Sequence, residues 1–449
     1  MNIKFIESGE DTLAFFLDSQ RFFKINDNTK NLITSIREGV QDTIILKKYD
    51  LTAEKLRAFK NQFAEYGKSE CSNGHGKRIE GLGRLVLNIS NKCNLKCKYC
   101  YANGGSYCSD EDLMTEETAI FALKRFYEHY KNIYVVQIFG GEPTMNMPVM
   151  KAICNYITKH NKNALVKTKI GLVTNGTIMD DNFFAMVKKH DIQVTVSYDG
   201  DPLVNDIMRV YDGGEGTSDI ILNNIKELKK QTGQPTTIEV TYNQHHVDNR
   251  ISVLDIIQFV RETVGDIPLH IVPAGGEDTS SYVLKNRDEF IKSVDDVFNN
   301  PLDVSNCTYS LVQRIVSSLM TKRNGEHICE AGFDTLSVSV KGDVYPCFMF
   351  TDVEDMVMGS IYDAELFTSV LFKSEVSRFH GFKKETISEC NECFIKASCC
   401  GCLGINYLET GNAFNISHET CEMFRKMTER VILNLHLMYE RKGGEVIAS

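Results

Sequence analysis

Six apolar, strand-like runs recur at Leu85 to Ile89, Ile133 to Phe139, Val166 to Val173, Ile192 to Ser197, Thr237 to Tyr242 and Leu269 to Val272, with helix-like segments between them. Strands separated by helix-length connections pair side by side in parallel, because the helix makes the return trip. The pattern therefore predicts an α/β chain whose sheet is open or curled into a partial (β/α)6 TIM-like barrel. Polar, glycine-bearing sequence follows the first four runs directly. A cysteine triplet comes after the first, Gly140-Gly141-Glu142-Pro143 after the second, Thr174-Asn175-Gly176 after the third, and Ser197-Tyr198-Asp199-Gly200 after the fourth. In (β/α) barrels the strand C-termini carry the active site, so these loops are expected to converge on one mouth. That convergence points to catalysis independently of any single motif.

A chain of 449 residues, 42% of them apolar, can bury two or three domains. Acidic residues outnumber basic ones 60 to 50 and the net charge is −10. No Lys/Arg-rich run provides the phosphate-neutralising footprint of a nucleic-acid binder, so RNA modification is disfavoured. Acidic residues interrupt the apolar stretch from Met1 to Asp18, and no window reaches 18 uncharged apolar residues, so neither a signal peptide nor a membrane span is expected. A cytoplasmic location follows. In that compartment thiols stay reduced, so the 15 cysteines point to metal ligation or redox chemistry rather than disulfides.

Residues 1–67 alternate short apolar runs with two helical patterns, one starting at Asp27 and burying Leu32, Ile33 and Ile36, the other starting at Thr52 and burying Leu56, Phe59 and Phe63. Together they read as a small winged-helix unit. Glycines at 67, 74, 76 and 81 among polar residues make 68–82 a linker. The six βα units occupy 83–305. From 306 to 449 the pattern changes to helices (Leu311 to Met320, Glu365 to Phe372, Met423 to Tyr439), a hairpin around Lys341-Gly342-Asp343, and dense cysteine, which is expected to form a separate metal-bound domain.

Cys93, Cys97 and Cys100 form a C-x3-C-x2-C group in the loop after the first strand. Thiolates are soft ligands suited to zinc or iron-sulfur centres. Structural zinc takes four closed ligands, whereas three cysteines leave one position of a tetrahedral site, or one iron of a 4Fe-4S cube, free for a substrate. A zinc site completed by Cys108 is the competing reading.

The segment Cys93-Asn94-Leu95-Lys96-Cys97-Lys98-Tyr99-Cys100 resembles the cluster loop of the radical SAM superfamily. The resemblance implies that the amine and carboxylate of S-adenosylmethionine chelate the fourth iron of a 4Fe-4S cluster. One electron from the cluster then cleaves the sulfonium to methionine and a 5′-deoxyadenosyl radical, which the protein positions and shields. Tyr99 matches the residue beside the adenine. Gly140, Gly141 and Glu142 resemble the GGEP motif, where an edge strand and a carboxylate accept hydrogen bonds from the methionyl ammonium. Ser197 and Asp199 match the ribose-contacting position, and Asn175 faces the same mouth. Arg209, in Asn205-Asp206-Ile207-Met208-Arg209, resembles a histidine-aspartate-x-x-arginine segment with the histidine replaced. Each of these polar residues also fits ordinary turn or cap chemistry. No catalytic residue beyond the cluster ligands is implied.

The later cysteines resemble the SPASM domain: Cys329, then Gly342 with Cys347 five residues on, then Cys390, Cys393 and Cys399, and finally Cys421. The family pattern places a further cysteine at 403, which here is Leu403. The resemblance implies two auxiliary 4Fe-4S clusters, three clusters in all. Cys390, Cys393, Cys399 and Cys421 would hold the outer one; Cys329, Cys347 and Cys402 would hold the inner one. Which of Cys399, Cys400 and Cys402 ligate stays open, and the inner cluster either keeps a free iron for a substrate thiolate or is closed by Cys307. Two structural zincs satisfy the same cysteines. Cys71, Cys108 and Cys154 read as packed thiols.

The N-terminal unit is similar to the winged-helix domains that capture the leader of a ribosomally made peptide as an added strand; a stabilising cap is the competing reading. The combination implies a peptide maturase forming thioether cross-links from cysteine sulfur to carbon, as in sactipeptide and ranthipeptide enzymes. Its partners would be a precursor peptide and an electron donor such as flavodoxin or ferredoxin. Carbon-carbon cross-linking and formylglycine formation compete. The latter is weakened because Phe348 stands where sulfatase maturases carry an aspartate. A non-catalytic, metal-stabilised peptide-binding protein accounts for the N-terminal unit and the cysteines but not for GGEP beside an open three-cysteine loop. Metal analysis separates the classes: anaerobically purified chain is expected to carry iron and sulfide, and zinc without iron would overturn the enzyme reading.

Overall fold

The computed structural model describes residues 2–9, 11–68, 79–276, 279–300, 309–322 and 325–441. Most of the expected linker, Cys71 and Cys307 lie outside the described residues.

Strands β1 (Ile3–Ser8), β2 (Asp11–Phe16) and β3 (Arg21–Ile25) pair antiparallel with β2 in the centre. The continuous apolar run of β2 has a direct cause: both of its faces are covered. Ala14 and Phe16 pack with Ile3, Ile33 and Phe63 inside the unit, whereas Leu13 and Phe15 join Ile6 in the main core. The Phe15 ring meets Phe394 edge-on at 6.4 Å, which docks this unit on the cysteine-rich region. Helices Asp27–Arg37 and Ala53–Gly67 follow the sequence expectation; Asn26 and Thr52 cap them by accepting from the Thr29 and Lys55 N–H groups. A helix at Asp42–Tyr49 was not expected. It has no side-chain cap bond, and its successive Ile44 and Ile45 are 53% and 0% exposed, a pattern too short to reveal a period.

The six expected runs become β4 (Leu82–Asn88), β5 (Ile133–Phe139), β6 (Lys169–Thr174), β7 (Ile192–Ser197), β8 (Thr237–Tyr242) and β9 (Leu269–Pro273), all mutually parallel and in sequence order. Buried residues alternate along them: Ile238, Val240 and Tyr242 bury one face of β8, while Thr237, Glu239 and Thr241 take the other. The intervening helices bury apolar stripes, among them Ala122, Leu123 and Phe126 of Glu116–Tyr130 and Ile153 and Ile157 of Met147–His160. This is the partial TIM-like barrel.

The sheet does not stop at β4. Strand β10 (Thr335–Val338) pairs parallel to it, and β11 (Asp343–Tyr345) and β12 (Gly359–Ser360) continue antiparallel, giving nine strands ordered β12-β11-β10-β4-β5-β6-β7-β8-β9. The hairpin expected at Lys341-Gly342-Asp343 is the β10-β11 turn. The expected helix over Glu365 to Phe372 is broken: a short turn at Leu366–Thr368 ends where the Ser369 hydroxyl accepts from the Phe372 N–H and starts a new helix, Val370–Gly381. The last helix, His418–Arg441, packs on Asp288–Asn299, with Arg430 and Asn434 both bound to Asp295. No described helix is long and apolar enough to cross a membrane.

Ile138 on β5 is fully buried, whereas Leu165 in the loop before β6 is 81% exposed. Ile138→Ala should lower unfolding free energy by about 2–5 kcal/mol in chemical denaturation. Leu165→Ala should change it by less than about 0.5 kcal/mol.

Candidate active site

Beyond β4 the chain runs extended through Ser90 and Lys92, and the segment after β5 lies against it. Gly141 N–H donates to the Ser90 carbonyl at 2.7 Å and Glu142 N–H to the Lys92 carbonyl at 2.8 Å. The glycines are demanded by this approach. A Cβ on Gly141 would stand 2.5 Å from the Lys92 oxygen and 2.9 Å from the Gly105 Cα, and one on Gly140, whose φ is +144°, would stand 2.5 Å from the Asn88 Oδ1 and Ser90 oxygens. Gly105 in turn leaves no room beside the Cys93 Cβ, at 2.8 Å. Cys93, Cys97 and Cys100 are all half-buried on this loop. The loop is pinned to the segment after β7, with Lys96 N–H on the Val210 carbonyl at 2.8 Å and Lys98 N–H on that of Met208 at 2.9 Å. Burial pushes the Cys93 thiol up to about 12 and raises Cys97, and the neighbouring thiols add to the shift. A bound cation is what can hold such sulfurs as thiolates.

Glu142 is fully buried, and its carboxylate takes four hydrogen bonds from this chain. Oε1 accepts from Thr144 N (3.0 Å), Thr144 Oγ1 (2.7 Å) and Thr174 Oγ1 (2.8 Å), and Oε2 accepts from Asn175 N at 2.6 Å. Burial raises its pKa and these bonds oppose the rise. The Asn175 amide reaches on to Asn94 Oδ1 at 2.9 Å and to Cys93 Sγ at 3.8 Å, which places the third-strand loop directly under the cysteine loop.

The expected adenine and ribose residues meet each other. Tyr99 donates its hydroxyl to the Asp199 carboxylate (2.7 and 2.8 Å), and Arg209 Nη1 donates to the Tyr99 oxygen at 2.9 Å. Asp199 also accepts from Thr241 N–H at 3.1 Å. Burial raises the Asp199 pKa, and the Arg209 charge pulls it back. Ser197 sits half-buried at the end of β7, in register with Glu239. Asn205, which stands where the resembling motif has histidine, takes a structural part: its Oδ1 accepts from Asp199 N–H at 3.2 Å and its Nδ2 donates to Thr217 and Ser218 hydroxyls at 3.1 Å. His246 Nε2 lies 2.9 Å from the Asp199 carbonyl. Neither His246 nor Thr241 carried a sequence signal, because each reaches the site from the end of β8 or the helix after it.

The later cysteines fall into two groups. Burial raises the Cys329 thiol to about 11 and the Cys347 thiol to about 12, and the neighbouring Cys402 adds to both shifts. Burial raises the Cys390 thiol to about 11 and the Cys421 thiol to about 12, and the nearby Cys393 and Cys399 add to both shifts. Cys400 instead turns its thiol onto the Ser398 carbonyl at 3.4 Å. Leu403 is 2% exposed, packed with Ala331, Tyr345 and Phe350, so the thiol one residue earlier, Cys402, faces the first group. Among the described residues no three of these sulfurs lie within 4.8 Å of one another. Thiolate donor sets of this kind suit an iron-sulfur core. Asp352, between the two regions, accepts from Asn91 Nδ2 (3.0 Å) and Ser109 Oγ (2.5 Å), and the Phe348 ring packs on Phe139 at 4.6 Å.

Comparison with known proteins agrees with this geometry. Residues 87–260 match the radical SAM superfamily, and residues 329–394 match the SPASM iron-sulfur cluster-binding domain. The chain carries a radical SAM domain and a SPASM domain. It is 24% identical over 375 residues to the radical SAM cyclopropyl synthase TigE of Paramaledivibacter caminithermalis, spanning 79% of this chain and 74% of that protein. It is 23% identical over 318 residues to a cysteine-type anaerobic sulfatase-maturating enzyme of Clostridium novyi, spanning 67% and 81%. In fold it matches native anSMEcpe with bound AdoMet and Cp18Cys peptide (TM-score 0.67, 20% identity, 80% of this chain and 99% of that one). It also matches Streptococcus suis SuiB bound to S-adenosylmethionine (TM-score 0.52, 15% identity, 94% and 99%), a protein solved with its precursor peptide SuiA as well. The chain thus carries a radical SAM domain of the kind that binds S-adenosylmethionine and an iron-sulfur-binding SPASM domain.

Gly141→Ala should push the Cys93 loop off its seat. Iron uptake should fall by one cluster's share, and reductant-dependent 5′-deoxyadenosine formation by roughly 10- to 100-fold, both measured on anaerobically reconstituted protein.

Proposed function

We propose that this radical SAM enzyme is a peptide maturase that links cysteine sulfur to a carbon of a ribosomally synthesised precursor peptide. Cys93, Cys97 and Cys100 hold the S-adenosylmethionine-binding cluster, and Tyr99, Gly140, Gly141, Glu142, Asn175, Ser197, Asp199 and Arg209 surround the cofactor. When bound, the cluster and S-adenosylmethionine supply a 5′-deoxyadenosyl radical that removes hydrogen from the peptide. The glycine face keeps backbone oxygens near the cluster loop, and Glu142, already carrying four donors from this chain, presents a fixed negative charge to an ammonium. The Tyr99–Asp199–Arg209 network holds the loop's aromatic residue in place.

The observation that carries the thioether assignment is the inner cysteine group, which gathers Cys329, Cys347 and Cys402 among the described residues. With Cys307 outside the described residues, these three thiolates would hold a cluster that, unless Cys307 closes it, would offer one iron to a peptide thiolate. Residues 83–305 form the radical SAM unit and 306–449 the SPASM unit, with the outer cluster on Cys390, Cys393, Cys399 and Cys421. Residues 1–67 serve as the winged-helix recognition unit. Its edge strand β3 exposes Phe23 (38%) beside Tyr66, ring centroids 4.5 Å apart, a surface suited to strand addition by a leader. An electron donor of the flavodoxin or ferredoxin class and a cytoplasmic setting complete the proposal.

Carbon-carbon bond formation is the second reading, favoured by the likeness to a cyclopropyl synthase over most of the chain. Anaerobic co-expression with a cysteine-bearing precursor, followed by intact mass with and without thiol alkylation, separates the two. Loss of two hydrogens per event with cysteines that no longer alkylate is the expected result; the same loss with free thiols moves the assignment to carbon-carbon linkage. Cys97→Ala should abolish modification and 5′-deoxyadenosine formation while leaving precursor binding intact.

A further inference from the structure

Lys384 is 2% exposed, an unusual position for an ammonium. Its Nζ donates to the Lys396 carbonyl at 2.8 Å, and its own N–H is fixed to the Glu326 carbonyl at 2.9 Å. Lys396 stands midway along the loop from Cys393 to Cys399, and its N–H donates to the Cys393 carbonyl at 3.0 Å. The ammonium is therefore anchored on the loop that carries Cys393 and Cys399. Burial bears on it most, and the charges of Cys399, Cys400, Cys390 and Cys393 act on it next.

An ammonium has three N–H donors, and burying it with a single neutral acceptor is costly unless an anion lies alongside. Neutral thiols cannot serve, whereas four thiolates around an iron-sulfur core carry net negative charge. We propose that Lys384 is the built-in counter-cation of the outer auxiliary cluster and raises its reduction potential; this rests on the outer-group assignment above. The direction follows from Coulomb's law in a poorly solvated site: reduction adds one negative charge to the cluster, and a fixed positive charge stabilises that state more than the oxidised one. Arg314 acts on the neighbouring Cys400, but it is exposed, so water and salt screen it. Lys384 is thus a positioning residue for electrons rather than a catalytic group.

The test uses full-length protein carrying Cys93→Ala, Cys97→Ala and Cys100→Ala, so that only auxiliary clusters remain, reconstituted anaerobically and titrated redox-wise with detection by electron paramagnetic resonance. Lys384→Met should shift one auxiliary midpoint to more negative potential, Lys384→Arg should restore it, and Arg314→Met should move it less. Loss of one cluster's iron in Lys384→Met with retention in Lys384→Arg also supports the role, because charge is then what holds the cluster. An unchanged midpoint in fully loaded Lys384→Met overturns it, as does equal iron loss in both variants. Failure of the underlying assignment looks different: the Lys384-containing protein would then take up no iron at Cys390, Cys393, Cys399 and Cys421, seen as unchanged iron content on Cys390→Ala.

Discussion

The buried Glu142 carboxylate organises this molecule's reactive end. Its four hydrogen bonds come from the turn that follows it and from the end of β6, so one side chain locks the second and third strand loops together. Asn175, oriented by that lock, then reaches the cysteine loop through Asn94 and Cys93. A carboxylate in so dry a place stabilises the fold only because each donor is present. Removing any one leaves charge uncompensated, which makes the arrangement unforgiving and well defined.

Much of this was legible in the sequence. The six-fold alternation of apolar runs and helices gave strands β4 to β9 because a parallel sheet writes its burial on every strand as a local pattern. The cysteine loop and the Gly140–Glu142 turn were legible because ligand spacing and close backbone approach each need particular residues within a few positions. The partition of Cys399, Cys400 and Cys402 was not. It turns on Leu403 being drawn into the core, a long-range packing choice that consecutive letters do not encode. The participation of Thr241 and His246 was hidden for the same reason: the sheet, not the sequence, brings the end of β8 to Asp199. The helix at Asp42–Tyr49 escaped because it is too short to establish a period.

The N-terminal unit repeats the lesson in another form. The apolar run of β2 could have been a core strand or part of a helix; its meaning lies in having two partners, the unit's own helices on one face and the main core on the other. Asn205 is instructive as well. It departs from the resembling motif, yet its amide still ties the Asp199 backbone to Thr217 and Ser218, so a hydrogen-bonding side chain of different chemistry fills the position.

The pairing of β10 with β4 makes the barrel and the cysteine-rich region one hydrogen-bonded sheet, and Asp352 clamps the same two regions near the cysteine loop. A hinge between two such regions would let the distance between groups on either side fluctuate with every opening. Here the spacing between the Cys93 loop and the inner cysteines is set by strand geometry, as marks are set on a ruler. Whatever the two cysteine groups hold is therefore kept at a fixed separation, set by strand pairing rather than by domain motion.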